Sequence, residues 1–194
     1  MVYETKQPYE VSWTQENPKT SLDFIRKTNL GKSAKIIDIG GGDSKLVDYL
    51  LEEGYENISV LDISANALER AKKRLGKKAE KVHWIVSDIT EFKPEVSYDI
   101  WHDRATFHFL TTTEQIKTYT EITEKWVSYF LIIGTFSENG PKKCSGLDIK
   151  QYSEMELENQ FSNRFKKREC ITEDHVTPFE TTQNFTFCAF EKSK

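Results

Sequence analysis

Long apolar runs are missing from this chain of 194 residues. None approaches the ~18 residues that a membrane span needs, and residues 1–13 have no charged-then-apolar signal pattern. A cytoplasmic protein with no membrane partner is expected. Cysteine is scarce: Cys144, Cys170 and Cys188 are widely spaced, with no C-x-x-C pair, and His83, His102, His108 and His175 show no ligand spacing with them. Neither a metal site nor a disulfide framework is therefore expected. Positive charge is not in excess either. A net charge of −4 and a pI of about 5.7 leave no electrostatic footprint for nucleic acid. The basic runs Lys72-Lys73-Arg74 and Lys77-Lys78 fall at a helix end, where cations complement the dipole and face solvent. With no internal repeat or low-complexity segment, the length suits one α/β domain with its own core.

What is present alternates between strand and helix, the signature of a parallel sheet covered on both faces. Leu22 and Ile25 mark a helix over 18–30, ended by Gly31. A strand over 34–39 leads to a helix capped by Ser44 and stopped at Gly54. A strand over 58–61 leads to a helix that Ser64 caps and that runs to Leu75. Strands follow over 82–86 and 98–101. Thr111 with Glu114 forms a capping box for a helix to Trp126, and the fifth strand covers 129–135. A polar loop, 137–152, is long enough to be a functional element. Ser153 and Glu156 box a short helix, and strands over 165–171 and 184–190, joined by a short loop, should pair antiparallel.

The most informative stretch is Ile36-Ile37-Asp38-Ile39-Gly40-Gly41-Gly42-Asp43-Ser44, followed by Val60-Leu61-Asp62-Ile63-Ser64. An apolar strand, a glycine turn, a helix and a second strand ending in an acid make an adenosine site. The glycines admit the ligand to the backbone and the acid takes the ribose hydroxyls. A dinucleotide fingerprint counted from Gly40 requires glycine at position 45, which is Lys45, and Asp43 would repel a pyrophosphate at the helix start. A ligand that is cationic beyond its ribose suits the acidic turn, and S-adenosylmethionine is such a ligand. With Asp38, Gly40, Gly42 and Ser44 matching its first motif, the sequence resembles the class I S-adenosylmethionine-dependent methyltransferases over residues 34–191. The resemblance implies a Rossmann-like doubly wound sheet of about seven strands, five parallel plus a C-terminal antiparallel hairpin. It implies one methyltransferase domain over 1–194, with 1–33 as an N-terminal cap.

By the same resemblance, Asp62 binds the ribose, Ile63 lies against the adenine, and Asp88, with Ile89, meets the adenine amino group. Asp38, Gly40, Gly41 and Gly42 form the turn around the rest of the donor. The segment Trp101-His102-Asp103-Arg104-Ala105-Thr106-Phe107-His108-Phe109-Leu110 packs two histidines, an acid and an arginine among aromatics, where the family faces the reacting methyl group. His108 and Asp103 are the candidate catalytic groups, Asp103 also touching the cofactor; the other reading of His108 is a structural histidine, and for His102 the structural reading is favoured. Trp13, Phe107 and Phe109 are candidates to surround a sulfonium or a cationic acceptor.

Methyl transfer from a sulfonium is an in-line displacement, so alignment and exclusion of water carry most of the rate. A base is needed only for an acceptor that arrives protonated. The expected function is methyl transfer from S-adenosylmethionine, with S-adenosylhomocysteine as product, to a small molecule. The alternatives are a protein lysine methyltransferase and an inactive cofactor-binding module. The family's Gly-Gly turn before the fifth strand is replaced by Lys125-Trp126-Val127-Ser128-Tyr129. Lys142 and Lys143 could lower the Cys144 thiol pKa, and the plain alternative is a loop cysteine without a role.

Overall fold

The computed structural model describes residues 15–177 and 180–193. Trp13 lies outside the described residues. Helix α1 (Lys19–Lys27) buries Ser21, Leu22, Phe24 and Ile25. Strands β1 (Lys35–Ile39) and β2 (Asn57–Asp62) flank helix α2 (Leu46–Glu52). Ser64 Oγ accepts from the Ala67 N–H and opens α3 (Ala65–Leu75), as its capping position suggests. Then come β3 (Val82–Val86), β4 (Tyr98–Arg104), α4 (Thr113–Trp126) and β5 (Val127–Phe136). A small hairpin, β6 (Lys143–Cys144) with β7 (Leu147–Asp148), precedes α5 (Glu154–Phe161), β8 (Phe165–Val176) and β9 (Thr182–Lys192). The Ser153–Glu156 capping box is in place.

The seven-stranded sheet has the order β3-β2-β1-β4-β5-β9-β8. Its first five strands are parallel, and β9 lies antiparallel between β5 and β8. The chain winds outward from β1 to β3 and returns to β4, so a crevice opens at the carboxyl ends of β1 and β4, where the strand order reverses. Strand residues alternate between two buried cores. On one face Ile36, Ile100 and Ile132 pack with Leu22, Ile25, Leu46 and Leu68 from α1 to α3. On the other, Ile37, Ile39, Trp101 and Leu131 pack with Tyr119, Leu157 and Phe161 from α4 and α5. Each such side chain taken out of water contributes about 1.5–3 kcal/mol.

Several expectations are corrected by packing. Strand β4 continues three residues past Trp101, because β1 and β5 pair with it through Asp103 and Arg104 respectively. The box that starts α4 is Thr112 with Gln115, one residue later than expected, since Thr112 is the residue in extended geometry. Helix α4 passes directly into β5 without a glycine turn, and the β4–β5 register shifts between Tyr98 and Ile100. Cys170 and Cys188, separated by 18 positions, form a disulfide, against the expectation of none. The β8–β9 pairing places them directly opposite, with Cα atoms 4.1 Å apart, a proximity that sequence spacing conceals.

Candidate active site

The glycine turn after β1 is tight because neighbouring side chains crowd each of its three glycines. Gly40 has φ +69°, and a Cβ there would overlap Thr106; one on Gly41 would overlap the Asp38 carboxylate, and one on Gly42 would meet Ala67 and Asp62. Gly40 and Gly41 donate their N–H groups to Leu61 O, which ties the turn to β2. Gly42 donates to Asp62 Oδ2 at 3.0 Å, and Ser64 N–H reaches Asp62 Oδ1 at 2.7 Å. Burial pushes the Asp62 carboxyl up to about 6 against these two donors, with the nearby Asp43 and Asp38 adding to the rise.

Gly40, Gly41, Asp38, Asp62, Ile63, Asp88 and Ile89 line one cavity of about 620 Å³ at the switch point. Gly42 does not; it holds Asp62 from behind. Ile63 is 56% exposed and presents an apolar face at the rim. Asp88 Oδ1 is occupied by the N–H and hydroxyl of Thr90. Asp43 also borders the cavity, but Arg70 grips it with two bonds of 3.0 and 2.6 Å, so its charge is compensated and repels anions less than its sequence position suggests.

The catalytic candidates from the sequence lie elsewhere. Asp103 is register partner of Ile39 and points into the α4–α5 core. Its carboxylate accepts from Thr106 N–H (2.9 Å), Phe107 N–H (3.1 Å) and Tyr119 OH (2.7 Å), while burial raises it to about 6. It shapes the turn and does not line the cavity. His108 is fully buried beside the rings of Phe109 and Phe136, and its Nδ1 accepts the Phe136 N–H at 3.3 Å. Burial, then Arg104, brings it down to about 3, so the ring is neutral and a poor proton acceptor. Phe107 packs among Tyr119, Tyr152 and Phe161, on the far side of the sheet; Phe109 does reach the cavity.

In their place the β4 pleat brings forward His102 and Arg104. Asp38 and His102 face each other across the β1–β4 register, on the α1 side. His102 Nδ1 lies 2.7 Å from Asp38 Oδ1, and its Nε2 lies 2.9 Å from Ser21 Oγ of α1. All three line the cavity. Asp38 Oδ2 is buried and has no hydrogen-bond partner. Arg104 sits over the Phe185 ring at 4.6 Å, and burial lowers it to about 10, which leaves it charged. Ala105 next to it holds φ +69°, an uncommon conformation for a residue with a Cβ, fixed by its N–H to Gly134 O at 2.8 Å.

The far wall is the β6–β7 hairpin within the polar 137–152 loop, which contributes Cys144, Ser145, Leu147 and Asp148. Cys144 is buried there, and burial raises its thiol, opposite to the lysine effect expected. The sequence reading did not single out Ser21; it named Arg104 and Thr106 only as part of the 101–110 segment and the hairpin, Cys144 aside, only as part of the 137–152 loop, without assigning them roles. The available signals were the polar Ser21 beside Leu22 on an apolar helix face and the two-residue alternation joining His102 to Arg104. Among the described residues no group of His, Cys, Asp and Glu could hold a metal ion, and no helix is long and apolar enough to cross a membrane.

Residues 36–125 match the model of a methyltransferase domain. The chain is 27% identical over 89 residues to the eEF1A lysine and N-terminal methyltransferase of Bos taurus, covering 45% of this chain and 13% of that protein. It is 27% identical over 162 residues to malonyl-(acyl-carrier protein) O-methyltransferase 1 of Ilyobacter polytropus, covering 83% of this chain and 56% of that one. The chain thus spans less than two thirds of either relative. Its fold is that of the N-methyltransferase NodS from Bradyrhizobium japonicum WM9, solved with S-adenosyl-L-homocysteine, at a TM-score of 0.74, 16% identity, and coverage of 93% of this chain and 90% of that one. The sheet order, the glycine turn and the matched segment agree in supporting a class I S-adenosylmethionine-dependent methyltransferase.

Proposed function

We propose that the protein transfers a methyl group from S-adenosylmethionine to a small-molecule acceptor. The observation that carries this is the cavity: about 620 Å³, at the switch point, walled by the β6–β7 hairpin. That is within the ~300–1,000 Å³ of ordinary ligand pockets. Donor and acceptor must share it, which leaves room for a small acceptor. The lining residues fit the donor, since the unpartnered Asp38 Oδ2 awaits a cationic donor group and the Gly40–Gly41 turn is a cradle that side chains would fill. In this reading Asp62 accepts from the ribose hydroxyls, Ile63 and Ile89 flank the adenine, and Asp88 accepts from its amino group. The bound donor supplies an electrophilic methyl on a positively charged sulfur. The chain's own part is to hold the acceptor in line and keep water out, which the hairpin and Phe109 serve.

A lysine acceptor, as the name of the Bos taurus relative describes for that protein, is the competing reading. The purified chain with methyl-labelled donor should form S-adenosylhomocysteine with members of a panel of small thiols, phenols, amines and carboxylic acids, and leave lysine peptides and purified eEF1A unlabelled. Labelling of protein lysine alone would overturn the small-molecule reading. Tight S-adenosylhomocysteine binding without turnover of any acceptor would make the chain a binding module.

A further inference from the structure

We infer that Ser21, His102 and Asp38 form a proton relay that serves methyl acceptors arriving in protonated form. The inference rests on the methyltransferase reading above and names the residues that remove the acceptor's proton. Three observations carry it. The chain of contacts runs carboxylate, imidazole, hydroxyl at 2.7 and 2.9 Å, the order in which Ser-His-Asp sites pass a proton. All three groups border the one cavity and come from different elements, α1, β1 and β4, so the fold assembles them there. Ser21, His102 and Asp38 are each only 2% exposed, so the contact chain is shielded from bulk water where it meets the cavity.

The tautomer follows from the acceptor character of Asp38. A carboxylate requires a donor at Nδ1, which leaves Nε2 of the neutral ring bare and able to accept the Ser21 hydroxyl proton. The Ser21 oxygen then takes a proton from an acceptor X–H as its own moves to Nε2. The X lone pair forms the new X–C bond, the electron pair of the S–C bond stays on sulfur, and the positive charge passes to His102 beside Asp38. Charge and protons balance, and the ring returns its proton to water after product leaves. Around His102 the charged groups are Asp38 on β1 and Asp103 and Arg104 on β4, with Glu173 and Cys144 beyond Arg104. Its register partner on β5, Ile132, is apolar.

The test is nitrogen NMR of the full chain labelled with 15N-histidine, saturated with S-adenosylhomocysteine, and titrated toward acid. His102→Gln identifies the signals. The expected state has a protonated Nδ1 and a bare Nε2 that gains a proton while the folded spectrum persists; Asp38→Asn should abolish that gain. A protonated Nε2 in the neutral ring, or a ring unchanged until the chain unfolds, would overturn the relay. Binding of S-adenosylhomocysteine by calorimetry is scored separately, so its loss would sink the methyltransferase reading and be told apart from failure of the relay. In turnover with a panel acceptor, Ser21→Ala, a small change on a helix, should cost tenfold or more at pH 6 and recover as pH rises. A rate within twofold of wild type at pH 6 would count against the relay.

Discussion

Replacing Asp62 by asparagine, at several pH values, tests the donor site most directly. In the ligand-free chain burial draws this carboxyl up to about 6, opposed by the Ser64 and Gly42 N–H groups and aided by Asp43 and Asp38. Ribose hydroxyls donate to a carboxylate, so the donor selects the ionised form. About nine-tenths of the chains are ionised at pH 7 and about one-tenth at pH 5. Because apparent affinity scales with the competent fraction, S-adenosylhomocysteine should bind about tenfold more weakly at pH 5 than at pH 7. Asp62→Asn removes hydrogen bonds to a charged group, about 1.5–3 kcal/mol, a loss of roughly 10- to 150-fold at pH 7. It should also flatten the pH dependence. Stability runs the other way. The folded carboxyl holds its proton more tightly than the unfolded one at 3.8, so its contribution is present below pH 4 and lost as pH rises through 6, by about 3 kcal/mol. Calorimetry from pH 5 to 8 measures the affinities, with thermal melts of the ligand-free chain alongside. A wild-type affinity flat across that range, or unchanged binding in Asp62→Asn, refutes the assignment.

His108→Gln should lower urea stability by about 1–3 kcal/mol, by disturbing the acceptor of a buried N–H, yet leave S-adenosylhomocysteine affinity within twofold. Because the folded ring is held down to about 3, its contribution is full above the unfolded value of 6.5 and is lost as pH falls, so the variant should lose less stability in acid. A 10²-fold loss of turnover in a stable His108→Gln would restore it as a base. Gly40→Ala should cost about 1–2 kcal/mol for its positive φ and abolish donor binding through overlap with Thr106; calorimetry with an intact site would show that the turn has room. Cys170→Ser should lower chemical stability by about 3 kcal/mol through the loop that the disulfide closes, and an unchanged midpoint would show the bond contributes nothing.

The glycine-turn side of the cavity was legible in the sequence because local chemistry dictates it. A glycine at φ +69°, an acid ending a strand, and a serine capping the next helix are each set by their immediate neighbours, so Gly40, Asp62 and Ser64 could be read in order along the chain. Alternation of strand and helix likewise fixed a parallel sheet, and with it the end of the sheet at which a ligand sits. The β4 side of the cavity was not legible, because which face of β4 meets the cavity depends on its register with β1. A pleat sends adjacent residues to opposite sides, so His102 and Asp103, neighbours in sequence, end on opposite faces of the sheet, and His108 closes against Phe109 and Phe136. The Cys170–Cys188 bond and the Ser21–His102 contact, 18 and 81 positions apart, exist only once β8 lies on β9 and α1 lies on the sheet. Local propensity reaches a few residues, and such contacts are decided by tertiary packing alone.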